Sequence, residues 1–159
     1  MGLDITFYKA KRSKDNETKE RLEEIRKALD AEYIKSIDER NSKLINELED
    51  EKEKINPWNE VAYFRKVNFL IPFFGYEENC SNIEIDKYQV EDLIEACKEV
   101  LASHDKASFL LPTQAGFFFG STDYDDWYFD DVESVKTTFE SILEDFDQEE
   151  DILTMHCWW

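Results

Sequence analysis

The sequence predicts an α+β fold, and three observations carry the prediction. Period-two hydrophobicity marks a strand at the start of the chain, and an apolar extended run closes it. Two amphipathic stretches with helical spacing occupy the second half. A long charged segment without proline or glycine separates the first strand from the rest. The expected architecture is a small, mostly antiparallel sheet of the terminal strands plus a strand at 116–120. Helices cover it, and a long charged helical arm or helical hairpin projects from it. One domain spanning 1–159 is expected, with the arm, 14–55, inserted after the first strand.

Each element has its own warrant. Leu3, Ile5 and Phe7 alternate with Asp4, Thr6 and Tyr8, as in a half-buried strand. In the arm, Leu22, Ile25, Leu29, Tyr33, Ile37, Leu44, Leu48 and Ile55 follow a helical stripe interrupted at Asn41. That break allows one long helix or a hairpin turning near Asn41-Ser42. Asn56-Pro57-Trp58 stops the arm. The apolar run 61–71 reads as a strand end passing into a short buried helix, kinked or ended by Pro72. Ile83-Glu84-Ile85 is a brief extended piece. Asp86, with Gln89 three residues on, forms a capping-box variant for a helix burying Val90, Leu93, Ile94, Cys97, Val100 and Leu101. Gly116 and Gly120 fence Phe117–Phe119 as a short apolar strand. Thr122 or Asp123 caps a last helix with the stripe Tyr128, Val132, Val135, Phe139, Ile142 and Phe146. Residues 152–159 close the chain as a strand.

Charge narrows the choice of partner. The chain carries a formal net charge of -19, and most of it lies after residue 60. From Asp123 to Asp151 there are 13 acids and one base, Lys136. Such a surface repels nucleic acid and lipid headgroups, both polyanions. It steers toward basic proteins, or imitates a polyanion to them. Asp123, Tyr124, Asp125, Asp126, Trp127, Asp130, Asp131 and Glu133 interleave acids with aromatics, which supply contact area at low entropy cost. These eight are the expected partner-binding residues. Self-association through the helical arm is a further expectation.

No catalytic residue, metal or cofactor is expected. His104 stands alone beside Asp105, and His156 and Cys157 point to opposite faces of a strand. Asp123, Asp125 and Asp130 fail the calcium-loop pattern, with Tyr128 at the glycine position and Ser134 at the glutamate position. Cys97 on its apolar stripe reads as core. Three widely spaced cysteines argue against a disulfide framework and for a reducing compartment. The alternative to a binding protein is a small enzyme or small-ligand protein. Its anion or ligand site would comprise Arg65, Asn68, Thr113 and Ser121, with Tyr124 beside them.

The opening Met1-Gly2-Leu3-Asp4, the segment Tyr63–Asn68, Cys80, the run Leu111–Tyr128 and the aromatic C-terminus carry a resemblance. The chain resembles accessory proteins of bacteriophages and prophages that begin Met-Gly-Leu-Asp and carry a Leu-Pro-Thr-x-x-Gly-Phe-Phe-Phe-Gly-Ser motif. The resemblance covers 1–8 and about 61–159. It brings no activity with it. It implies phage or prophage origin, a bacterial cytoplasm, and a part in host takeover or defence evasion, as an inhibitor or nucleic-acid mimic. One departure weighs against an enzyme: Ile71 stands where that family carries a histidine.

Overall fold

The computed structural model describes residues 2–159, so Met1 of the Met-Gly-Leu-Asp opening lies outside the described residues. The chain divides into two compact units, residues 1–9 with 59–159, and residues 10–58.

The first unit is an α+β structure around one four-stranded sheet. Its strands are β1 (Asp4–Lys11, in this unit through Lys9), β2 (Asn59–Arg65), β3 (Asn82–Ile85) and β4 (Asp151–Trp158), in the order β2-β1-β4-β3. Both terminal strands belong to the sheet, as expected, and β1 and β4 hold its middle. β1 pairs antiparallel with β2, setting Ile5 opposite Phe64 and Phe7 opposite Ala62 before the register shifts at Phe7/Tyr8. β3 pairs antiparallel with β4, setting Ile83 opposite Met155 and Ile85 opposite Leu153. Period-two alternation puts Leu3, Ile5, Phe7, Leu153, Met155 and Cys157 into the core, and all are fully buried.

Two helices complete that core. In α4 (Lys87–Ala102), Asp86 accepts from the Gln89 backbone N–H, and the Gln89 side chain accepts from the Asp86 N–H. This is the expected capping box, and it fixes the helix start so that Val90, Leu93, Ile94, Cys97 and Val100 face inward. In α6 (Asp126–Glu144), Tyr128, Val132, Val135, Phe139 and Ile142 are buried, and Phe146 continues the stripe just beyond the helix. Phe139 meets Phe7 edge-on at 4.9 Å and Phe74 at 6.3 Å, so one ring ties α6 to β1 and to the chain after β2.

Three local expectations are corrected. The segment 116–120 is a turn, not a strand. The Phe119 N–H donates to the Gly116 carbonyl, Gly120 has φ +88°, and the Phe118 carbonyl accepts from the N–H of Leu3, the residue before β1. Three like residues carry no alternation; Gly120 supplies the left-handed backbone of the reversal, and Gly116 leaves room for the Phe119 ring folding back on it. Pro72 neither kinks nor ends its helix; it sits within the first turn of α3 (Leu70–Phe74), where its missing N–H costs nothing. Gly75 ends α3 with φ +65°. Asp125 caps α6, accepting from the Tyr128 N–H, in place of Thr122 or Asp123. A short helix at Ala107–Leu110 (α5) follows α4.

The second unit is a helical hairpin: α1 (Arg12–Tyr33), a 3-10 turn at Ile37–Glu39, and α2 (Ser42–Lys54). Asn41 caps α2 by accepting from the Leu44 N–H. Glu32 accepts from the Asn41 N–H and from Lys35, which bolts the turn and holds its carboxyl below the usual range. Ile25, Leu29 and Leu48 form a small core, and Arg21 grips Glu51 with two hydrogen bonds of 2.7 and 2.9 Å. Ile34 and Ile37, at the turn, are exposed.

Candidate functional site

The site is built on the Leu111–Asp125 loop, and a buried asparagine gives that loop its shape. Asn68 is 3% exposed. Its side-chain amide donates to the Phe119 carbonyl (3.1 Å) and the Ser121 carbonyl (2.8 Å), and its Oδ1 accepts from the Gln114 N–H (3.1 Å). One side chain thus holds the loop at three points. Thr113 Oγ1 donates to the Thr122 carbonyl, and the Thr113 N–H donates to the Tyr124 hydroxyl. The Asp123 N–H donates to Ser121 Oγ. Tyr128, buried in α6, donates its hydroxyl to the Leu111 carbonyl at 2.8 Å, fastening the other end.

These anchors surround a cavity of about 190 Å³ lined by Lys66, Asn68, Thr113, Ser121, Asp123, Asp125, Trp127 and Asp131, among others. Four of the eight expected partner-binding residues therefore meet there: Asp123, Asp125, Trp127 and Asp131. Tyr124 does not line the cavity and meets Tyr128 edge-on at 5.0 Å. Asp126, Asp130 and Glu133 do not line it, and Glu133 pairs with Lys136 at 2.8 Å. Spacings of four and three residues put these three acids along one exposed stripe of α6. The acidic surface is thus a cavity wall and an adjoining helical stripe.

Of the expected ligand-site residues, Asn68, Thr113 and Ser121 converge and Arg65 does not line the cavity. Arg65 lies over Gly2, and Lys66 takes the lining position. Lys66 has φ +61°, which its sequence gives no reason to expect, and its stem packs on Gly120. The asparagine amide and the Thr113 hydroxyl are used in holding the loop. Three carboxylates against one ammonium make the cavity hostile to an anion and favourable to a cationic group. Asp131 shows the crowding: partial burial, then Asp130 and Asp125, raise its carboxyl above the ordinary value.

Among the described residues, no three His, Cys, Asp or Glu side chains gather at the spacing of a metal site. Cys97 is core, and burial pushes its thiol up to about 12, so it stays protonated at neutral pH. No helix among the described residues is long and apolar enough to cross a membrane. Comparison with family models, curated proteins and solved structures finds no match.

Proposed function

We propose that the protein is a phage- or prophage-encoded binding protein that occupies a basic surface on a bacterial host or defence protein and inhibits it. The observation that carries the reading is the grouping of Asp123, Asp125 and Asp131 around one cavity beside Trp127, which is 78% exposed. A cation entering this cavity meets three carboxylates already grouped there, so binding gains from charge concentrated in advance. The helical stripe of Asp126, Asp130 and Glu133 extends the negative field along α6, in the manner of a nucleic-acid backbone presented to a basic groove. The bacterial cytoplasm as the place of action, and the phage origin, rest on the sequence resemblance. Self-association through the helical hairpin is part of the same proposal, motivated by the exposed Ile34 and Ile37 at its turn.

The test is capture from bacterial lysate at low and high salt, followed by kinetics on the purified partner. Reversing Asp126, Asp130 and Asp131 to lysine should slow association by about 10-fold or more and flatten its salt dependence. Recovery of no specific partner at either salt, or association indifferent to the reversal, would sink the reading. The mimic form further requires that the captured protein release nucleic acid when this chain is added.

A further inference from the structure

Phe117 is the most exposed large apolar side chain of the described residues, at 95%. It is not on a slack loop. The Phe119 N–H closes the turn onto the Gly116 carbonyl, and the Leu3 N–H ties the Phe118 carbonyl to the sheet. Asn68 holds the carbonyls of Phe119 and Ser121. Phe119 itself is buried and meets Trp159 edge-on at 5.2 Å. Gly116 lies so close to the Phe119 ring that a Cβ there would fall 2.7 Å from it. Phe118 supports Phe117 edge-on at 4.8 Å. The turn therefore holds one aromatic ring in water at a fixed position, which removes in advance the ordering cost a flexible loop would meet on binding.

We propose that Phe117 is a preformed anchor that inserts into an apolar pocket on a protein partner, a pocket rimmed by lysine or arginine. The apolar half of the claim follows from the held ring. The basic rim follows from charge complementarity: the same loop continues through Gly120 and Ser121 into the cavity whose wall holds Asp123, Asp125 and Asp131. The acids that follow Phe117 along the chain, 13 against one base from Asp123 to Asp151, favour a partner surface of opposite sign. Carboxylates so placed oppose docking on an anionic bilayer, where an exposed aromatic could otherwise bury itself. This inference rests on the acidic-surface reading for the rim but not for the anchor.

The experiment pans a random-sequence peptide display library on the immobilised full chain, on Phe117→Ser and on Phe109→Ser. Phe109 is 85% exposed and lies in α5, outside the turn, so it controls for generic apolar contact. Enriched peptides should combine apolar residues with lysine or arginine. They should bind Phe117→Ser about 30-fold more weakly, the loss expected of a central aromatic anchor, and Phe109→Ser unchanged. The Phe117 ring forms no hydrogen bond and is not core, so the variant should keep the parent's melting temperature. Failure to enrich any sequence, or equal loss in both variants, overturns the anchor. Phe117-dependent binding to phosphatidylcholine vesicles in place of peptides also overturns it and assigns the turn to a membrane. Peptides that need Phe117 but lack basic residues and ignore salt keep the anchor and remove the acidic-surface reading.

Discussion

At the scale of single residues, Asn68 and Asp131 set the site by opposite means. Asn68 is a satisfied buried amide, with both its donor and its acceptor engaged by loop backbone. Asn68→Ala leaves the Phe119 and Ser121 carbonyls and the Gln114 N–H without that partner, and should cost about 2–4 kcal/mol. Urea unfolding measures it, and a loss within error of zero would show that water replaces the amide. Asp131 is half-open and raised mainly by burial, then by Asp130 and Asp125. A carboxyl whose folded-state value lies above its unfolded one makes folding take up protons. It therefore lowers stability as pH rises through the window between the two values, and has no effect below that window. Asp131→Asn should stabilise the protein at neutral pH, by less than about 1 kcal/mol because solvent screens the half-exposed group. The gain should vanish once both forms are protonated. Melting temperatures at neutral pH and in strong acid decide this; a gain kept in acid would trace the effect to packing.

At the scale of elements, what the sequence makes legible is whatever is encoded by short-range periodicity. The Asp86–Gln89 box, the stripe on α4 and the stripe on α6 stand where spacing puts them, because capping and face burial are properties of neighbouring residues. The terminal strands are legible for the same reason. The 116–120 segment is not, since composition there suits a strand while the left-handed Gly120, the Phe119 ring against Gly116 and the distant Asn68 make it a turn. Asn68 stands 46 residues or more from its three partners, and no local pattern announces that pairing. The site was half legible for a related reason. Asp125 and Asp131 share a cavity wall because the cap at Asp125 fixes the phase of α6, and that phase leaves Asp126 and Asp130 outside it. Arg65 and Lys66 stand out in the sequence as rare bases in its acidic half, but no local pattern tells which of the two lines the cavity or that Lys66 takes a left-handed backbone. The hairpin is encoded by a weak interruption at Asn41 and made definite by Glu32 capturing the Asn41 N–H.

At the scale of the whole molecule, the division into two units makes a strong prediction about what can be removed. Residues 10–58 form a compact unit with their own small core of Ile25, Leu29 and Leu48. The chain leaves the first unit at Lys9 and returns at Asn59, and these two residues are register partners in the β1–β2 ladder. The gap left by excising 10–58 is therefore one that a tight turn can close, converting β1 and β2 into a hairpin joined by Asn-Gly. The ladder from Asp4↔Arg65 to Phe7↔Ala62, the core behind it and the Asn68-held loop all lie within what is kept. The shortened chain should fold with a single cooperative melting transition and retain the acidic cavity together with the Phe117 turn. Its amide hydrogen exchange should show Phe119 and the α6 core as protected as in the full chain. If the partner contact proposed above lies on the acidic cavity, the shortened chain should bind with unchanged affinity. A shortened chain that folds with protected α6 yet no longer binds would move the interface to the helical hairpin, with the exposed Ile34 and Ile37 as its first suspects.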